Sequence, residues 1–387
     1  MKRLLLIEDD EIVANNYRNK FAVEGFQVEI APDGETGLEL VKTFAPDVII
    51  LDLMLPGISG VDVLKHIRAQ ETSNKLPVVV LTNTYLSQMV QDAWRAGASK
   101  CLSKANCRPK HVIEVVLGLF SNEVKDQPAS AVPSAATAAE TDERFQSELR
   151  QQFVQALPAA LVLLRTHLQA LVKSDDPAWR ATRLHELYRK IHALAGNAGL
   201  AGMQQIAQMA AALEALIKEL YDKPQNINAS TLRTVASVID FLGALFDRAA
   251  QDGTEEVPTA NVLVVDDEAV SCRAINHALE KASLKSVNAE DPQSALDLLG
   301  TNQFDLIILD VEMPNMTGFE LCTRIRTFPN YAKTPVIFVT KLTDFESRAN
   351  SIVSGGNDLI AKPFLSIELA AKALLYVLRS RPSLAKK

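Results

Sequence analysis

Five residues near one end of this chain recur near the other, each displaced by the same number of positions. Glu8, Asp9, Asp52, Thr82 and Lys104 have Asp266, Asp267, Asp310, Thr340 and Lys362 as counterparts (267 − 9, 310 − 52, 340 − 82 and 362 − 104 each give 258). Pro56 with Pro314, Gly60 with Gly318, Pro77 with Pro335, and Gly97 with Gly355 keep that offset. Repeated glycines and prolines alone are what a duplicated backbone requires. Repeated carboxylates, hydroxyl and lysine besides point to duplicated chemistry. The chain carries two copies of one functional module.

Each copy reads as alternating strands and helices. Leu4–Ile7, Val48–Leu51 and Val78–Leu81 are short apolar runs, with helical patterns at Thr36–Phe44 and Val61–Gln70 between them. Val262–Val265, Leu306–Leu309 and Val336–Val339 repeat the plan. Apolar strands separated by helices predict a parallel sheet covered on both faces, built from right-handed crossovers. Ligands of such sheets bind beyond the carboxyl ends of the strands, where the repeated acids fall.

Between the copies no strand signal exists. Residues 121–143, rich in Ala, Ser, Pro and Thr, read as a linker, and 251–260 as a shorter one. Helical patterns cover roughly 145–172, 178–198, 203–222 and 229–250, broken at Asp175-Asp176-Pro177, Gly199–Gly202 and Pro224–Asn228. Four amphipathic helices of that length predict an antiparallel bundle. The expected domains are therefore 1–121, 144–250 and 261–383, joined by linkers 122–143 and 251–260.

The net charge of −7 argues against a broad nucleic-acid-binding face. The start, MKRLLLIEDD, holds only Leu4 to Ile7 before three acids, too short for a signal peptide's apolar region. No stretch reads as the ~18–20 apolar residues of a membrane span. Four cysteines (Cys101, Cys107, Cys272, Cys322) lack metal-ligand spacing and read as reduced thiols of a cytoplasmic protein.

Three carboxylates converging at a strand end repel one another unless a cation sits among them. Few carboxylates plus water suit Mg²⁺, which keeps positions open for a phosphate oxygen. Asp52 or Asp310 can then act as a nucleophile toward phosphorus, giving an aspartyl phosphate. Lys104 and Thr82 in one copy, and Lys362 and Thr340 in the other, fit charge neutralisation and hydrogen bonding at the phosphoryl oxygens.

These motifs resemble the receiver domain of two-component response regulators, across essentially all of 1–120 and 261–380. IEDDE and VVDDE match the acid pair, LDLMLPGISG and LDVEMPNMTG the phospho-acceptor loop, LTNTY and VTKLT the switch hydroxyl, and KPF the lysine loop. The resemblance implies two flavodoxin-like, doubly wound, parallel five-stranded (βα)5 domains. It also implies Mg²⁺-dependent phosphorylation of Asp52 and Asp310. The metal would be held by Glu8, Asp9, Asp52 and the Met54 carbonyl, and by Asp266, Asp267, Asp310 and the Glu312 carbonyl. Three departures stand out. Ala105 follows Lys104 where the family has proline, and Cys101 and Leu359 occupy the places of the usual switch aromatic. Chemistry is expected intact, with output coupling altered.

In the helix from Pro177, Leu184, Leu187, Ile191, Leu194 and Ala198 form the core stripe. His192 lies about 100° from Ile191, at the stripe's edge. Gly196 one turn on, then Gly199 and Gly202, suggest clearance for a partner, since helical glycines cost roughly 1 kcal/mol each. HALAGNAGLAG resembles the phospho-acceptor motif of histidine phosphotransfer (HPt) domains: His192, Leu194, Gly196 and Gly202 match, while Ala195 replaces the family's lysine. Arg189, at i−3, is the candidate substitute for that charge. At neutral pH an imidazole offers one unprotonated nitrogen as nucleophile and one N–H that a neighbour can orient.

The leading expectation is a receiver–HPt–receiver phosphorelay protein passing a phosphoryl group among two aspartates and His192. No ATP-binding kinase motif is visible, so the phosphate is expected from a sensor histidine kinase, with other receiver or HPt proteins as further partners. No nucleic-acid or membrane partner is expected; a homodimer through a receiver domain is allowed. The competing expectation is a regulatory scaffold in which one receiver, the first by virtue of Ala105, only docks or dimerises. A third places the output domain in a partner or a longer chain.

Overall fold

The computed structural model describes residues 2–70, 73–82, 87–104, 109–121, 135–173, 176–252, 260–341 and 350–380. Leu4–Ile7, Val48–Leu51 and Val78–Leu81 are fully buried, within β1 (Lys2–Ile7), β3 (Val48–Leu51) and β4 (Val78–Thr82). With β2 (Phe26–Ala31) and β5 (Lys100–Ser103) they make a parallel sheet in the order β2-β1-β3-β4-β5. Its helices are α1 (Glu11–Val23), α2 (Gly34–Thr43), α3 (Gly60–Ala69), α4 (Ser87–Arg95) and α5 (Pro109–Ser121). The two edge strands escaped the search for apolar runs because an edge strand is only partly covered. In β2, FQVEIA, only Phe26 and Ala31 at the two ends are buried, with Gln27 and Glu29 exposed and Val28 and Ile30 half-buried.

Four helices follow: α6 (Ala135–Lys173), α7 (Pro177–Leu200), α8 (Gln204–Asp222) and α9 (Ala229–Asp252). They are the central all-α region, consistent with an HPt bundle. Helix α6 begins ten residues before the expected 145, inside the segment whose composition reads as linker. Ala135, Ala136, Ala138 and Ala139 carry the highest helix propensity. The remainder of that segment, residues 122–134, lies outside the described residues, as do 253–259 and Ala105.

The second sheet contains β6 (Asn261–Val265), β7 (Lys285–Ala289), β8 (Leu306–Leu309), β9 (Val336–Thr340) and β10 (Asp358–Ala361), ordered β10-β9-β8-β6-β7. Helices α10 (Ala269–Lys281), α11 (Pro292–Thr301), α12 (Gly318–Ile325) and α13 (Ser366–Ser380) accompany it.

The residues form two compact units, Met1–Ala160 with Arg189–Glu214, and Leu161–Tyr188 with Ala215–Lys387. In the first, successive β1 side chains point to opposite faces, as strand geometry dictates. Leu4 and Leu6 enter a core with Val13, Tyr17 and Phe21 of α1; Leu5 and Ile7 enter another with Val63, Leu64 and Ile67 of α3. Leu200, from α7, belongs to the α1 core.

In the second unit, α13 packs on both α10 and α9. The Glu368 carboxylate, buried at this contact, accepts from Ser230 Oγ at 2.6 Å and Thr234 Oγ1 at 3.1 Å. Contrary to expectation, one described stretch is long and apolar enough to cross a membrane, Ala229–Ala249 of α9, with mean hydropathy 1.3. Its Val235, Val238, Ile239, Leu242 and Leu245 are fully buried in the fold, which accounts for the apolarity.

Candidate functional site

Strand register assembles the first acid pocket. Ile7 pairs with Leu51, so the residues after them, Glu8 and Asp52, leave the sheet side by side. Glu8, Asp9 and Asp52 each bring a carboxylate oxygen within 4.8 Å of the others. The Lys104 amide donates to the Thr82 carbonyl at 3.0 Å, tying the ends of β4 and β5. Lys104 Nζ then lies 2.6 Å from Glu8 Oε2 and 2.5 Å from Asp52 Oδ2. Glu8, Asp52, Thr82 and Lys104 are all buried.

The Lys104 ammonium pairs directly with Glu8 and Asp52 but not with Asp9, and the proton affinities of the three carboxylates diverge. Burial, resisted by Lys104, pushes the Glu8 carboxyl up to about 8. Burial also acts to raise Asp52, but Lys104 and His192 overcome it and hold this carboxyl far below the usual range. Asp9 is raised, first by burial and then by the neighbouring Asp52. Three converging carboxyl groups supply the oxygen ligands that a hard divalent cation takes. The Met54 amide donates to Asp52 Oδ1 at 3.0 Å, which brings the Met54 peptide to the same pocket.

The wall of the pocket explains a repeated glycine. A Cβ on Gly60 would stand 2.1 Å from the Asp52 carbonyl, and one on Gly318 would stand 2.0 Å from that of Asp310. Helices α3 and α12 begin directly against the backbone of the central aspartate, a distance only glycine permits.

The second pocket repeats the first with differences. Asp266, Asp267 and Asp310 cluster within 4.8 Å, and Lys362 Nζ reaches Asp266 at 2.8 Å and Asp310 at 2.7 Å. The Lys362 amide donates to the carbonyl of Thr340, itself buried, at 2.8 Å; the Glu312 amide donates to Asp310 Oδ1 at 3.3 Å. Burial raises the Asp310 carboxyl despite Lys362. Ser271 Oγ donates to Asp266 at 2.5 Å, and exposed Glu268 is ion-paired to Lys341 at 2.6 Å. Leu359 is buried at the switch-aromatic position; Cys101, its counterpart, is half-buried.

His192 is on α7, whose expected stripe of Leu184, Leu187, Ile191, Leu194 and Ala198 is entirely buried. Rather than facing solvent from the stripe's edge, His192 is itself buried, only 7% exposed. Its Nε2 lies 3.3 Å from Asp52 Oδ2, and its Nδ1 lies 2.9 Å from Glu214 Oε1 on α8. Burial acts to lower the imidazole pKa, but Glu214 and Asp52 reverse this and bring it up to about 10. The two flanking carboxylates thus favour the protonated form of the ring.

Neighbours of His192 on α7 complete the contact. Arg189 Nη2 lies 3.3 Å from Asp9 Oδ2, and Asn197 Nδ2 donates to Asp10 Oδ2 at 3.0 Å. Gly196 and Ala195 are buried, so a lysine in place of Ala195 would have to bury its charge. Gly202, at φ +74°, ends the helix; its amide donates to Gly199 and that of Met203 to Ala198. That pair of bonds is the Schellman stop, a second reason for glycine besides clearance.

Sequence reasoning missed Glu214, Asp10, Asn197 and Leu200. For Glu214 a signal was present: a single acid within the apolar run Met209–Ile217. For the other three none existed, because their role comes only from a contact distant in sequence.

The family model described as the response regulator receiver domain matches residues 4–116 and 262–374, and the Hpt domain model matches 148–251. The transcriptional regulatory protein YvrH of Bacillus subtilis (strain 168) is 35% identical over 125 residues, 32% of this chain and 52% of YvrH. The response regulator ArlR of Staphylococcus haemolyticus (strain JCSC1435) is 37% identical over 123 residues, 32% of this chain and 54% of ArlR. The chain thus spans about half the length of these curated relatives. Among solved structures, the chemotaxis response regulator CheY4 of Vibrio cholerae is 34% identical, with 31% of this chain and 99% of CheY4 covered and a TM-score of 0.29.

Proposed function

Because the chain belongs to the response regulator receiver family and carries an Hpt domain as well, we propose that it is a phosphorelay protein in which His192 and Asp52 exchange a phosphoryl group within one chain. The observation that carries this reading is the direct meeting of His192 Nε2 and Asp52 Oδ2, 3.3 Å apart: the two atoms that would trade the phosphoryl group face each other, and the pair must widen to admit phosphorus between them. Glu8, Asp9, Asp52 and the Met54 carbonyl would hold Mg²⁺ in the first receiver, with Asp266, Asp267, Asp310 and the Glu312 carbonyl in the second. When bound, the ion neutralises charge that develops on phosphoryl oxygens.

The chain's own groups supply the rest. Glu214 holds Nδ1, so the phosphoryl group resides on Nε2. The Asp52 carboxylate oxygen attacks phosphorus in line; an O–P bond forms, the N–P bond breaks, and the electron pair returns to Nε2. Lys104 and the Thr82 hydroxyl stabilise the equatorial oxygens, and burial excludes competing water. The imidazole released between Glu214 and Asp52 takes up a proton. Asp310, Lys362 and Thr340 have the same roles in the second receiver. A sensor histidine kinase is the expected phosphate source, other receiver or HPt proteins the expected exchange partners, and the cytoplasm the expected compartment.

A phosphorylation time course with a small-molecule phosphodonor and Mg²⁺ tests this on the intact chain and on His192→Gln, Asp52→Asn and Asp310→Asn. Acid-labile, alkali-stable phosphate that requires His192 and drains to Asp52 is the expected result. Aspartyl phosphate indifferent to His192 would end the relay reading. A second reading, in which the second receiver mainly docks, is favoured by the Glu368 bonds to Ser230 and Thr234. It predicts that Asp310→Asn leaves exchange at His192 unchanged.

A further inference from the structure

We propose that Asn197 and Leu200 of α7 are specificity residues that direct His192 to Asp52 in preference to Asp310. The inference rests on the relay reading and adds a choice between two acceptors. Duplication sets the problem: each receiver offers a carboxylate, a lysine and a hydroxyl at equivalent positions, so the chemistry at phosphorus does not tell them apart. Arg189 does not discriminate either, since its partner Asp9 has Asp267 as counterpart.

The contacts of Asn197 and Leu200 do discriminate. Asn197 Nδ2 donates to Asp10 Oδ2 at 3.0 Å, while Asn197 Oδ1 is buried with no hydrogen-bond partner among the described residues. Its bond to a carboxylate is therefore what offsets burial of this amide. The position equivalent to Asp10 in the second receiver is Glu268, longer by one methylene and held by Lys341 Nζ at 2.6 Å. The residue equivalent to Lys341 in the first receiver is Asn83, which offers no such cation. A docked Asn197 would have to displace an ammonium to reach Glu268.

Leu200, 2% exposed, joins the apolar core to which α1 contributes Val13, Ala14 and Tyr17. Their counterparts are Ser271, Cys272 and Ile275, and the Ser271 hydroxyl is committed to Asp266 at 2.5 Å. An apolar seat in one receiver is replaced by a serine and a cysteine in the other. Attractive contacts to one acceptor and unfavourable ones to its competitor together set a preference.

The test loads full-length chain on His192 with phosphoramidate in EDTA, removes the donor and adds Mg²⁺. The N–P bond then breaks as an O–P bond forms at one aspartate, and each aspartyl phosphate is read separately by borohydride trapping and peptide mass spectrometry. Wild type is expected to label Asp52 at least about tenfold faster than Asp310, and Asn197→Ala or Leu200→Ala to lower that ratio about tenfold. Transfer that proceeds with an unaltered ratio in both variants overturns the proposal. Failure of transfer to either aspartate would sink the relay reading, and a cross-link decides the docking choice independently of it. Asp10→Cys with Asn197→Cys is expected to be bridged by a short bifunctional thiol reagent in the full chain, because a 3.0 Å hydrogen bond between side-chain ends is too long a span for a direct disulfide, and Glu268→Cys with Asn197→Cys is expected not to be bridged. Equal linkage of the two pairs overturns the preference.

Discussion

Nδ1 of His192 meets Glu214 Oε1 at 2.9 Å, and the other carboxylate oxygen of Glu214 is buried without a hydrogen-bond partner among the described residues. This carboxylate is committed to the imidazole: it accepts from Nδ1–H and aims Nε2 at Asp52. Glu214→Ala should slow phosphorylation of His192 by roughly tenfold or more, with Glu214→Gln intermediate because an amide oxygen still accepts from Nδ1. Stopped time courses of acid-labile phosphate would check it; equal rates in all three proteins would contradict the assignment. Cys101 offers a second residue-scale check, at the place of the missing switch aromatic. Burial pushes its thiol up to about 11, so at pH 8 the thiolate is about one part in a thousand. Alkylation there should run about a hundredfold slower than for an ordinary free cysteine and accelerate as pH rises toward 11. Isotope-coded iodoacetamide with peptide mass spectrometry reads this directly. The proposed receiver-site acids, hydroxyls and lysines were legible because the duplication singles them out, and His192 because of its local motif; Glu214 has neither, and only its isolation among apolar neighbours marked it.

Elements repeat more deeply than the reacting groups. Asp33 and Asp291 cap α2 and α11, and Ser59 and Thr317 cap α3 and α12, at the same 258-residue offset (291 − 33 and 317 − 59). Arg68 donates to the Gly97 carbonyl from Nε at 3.0 Å and Nη2 at 2.8 Å; Arg326 holds Gly355 likewise at 3.0 and 2.6 Å. These repetitions keep the loops around each acid pocket in one geometry. Gly318 is the sharpest case, since a methyl 2.0 Å from the Asp310 carbonyl cannot be accommodated without moving α12 or the aspartate. Gly318→Ala should cost about 1–3 kcal/mol in the second receiver and depress Asp310 phosphorylation. Chemical denaturation and aspartyl phosphate yield would test both halves. Central strands were legible from their unbroken apolar runs, whereas β2 and β7 were not, being half-exposed at the sheet edge. The early start of α6 was hidden by composition, because alanine serves linkers and helices alike.

Over the whole molecule, the helical region is more than a spacer. Glu368 of α13 is buried with two hydroxyl donors from α9, Ser230 and Thr234. Arg248 of α9 donates to the Leu378 carbonyl, and Arg379 of α13 lies over the Phe241 ring, 5.6 Å from its centroid. Glu368→Ala would take the 2.6 Å acceptor from the Ser230 hydroxyl and leave Thr234 Oγ1 only its bond to the Ser230 carbonyl; it should weaken this attachment by about 1–3 kcal/mol, with Glu368→Gln milder. Hydrogen exchange should then quicken along α13 and the start of α9 while the β6–β9 core stays protected. Unchanged exchange at α13 would mean the contact contributes little.

By itself, the amino-acid sequence determined that there are two α/β modules around a helical region, and singled out the acids, hydroxyls, lysines and histidine to which the proposed chemistry is assigned. Both follow from local signals, apolar periodicity and a fixed offset, that need no knowledge of distant contacts. Tertiary structure alone decided that His192 meets Asp52, that Glu214 orients it, and that α13 rests on α9. Those contacts join residues 140, 22 and about 135 positions apart. Nothing in either partner's local pattern encodes the other, because such contacts are selected by the shape and charge of folded surfaces.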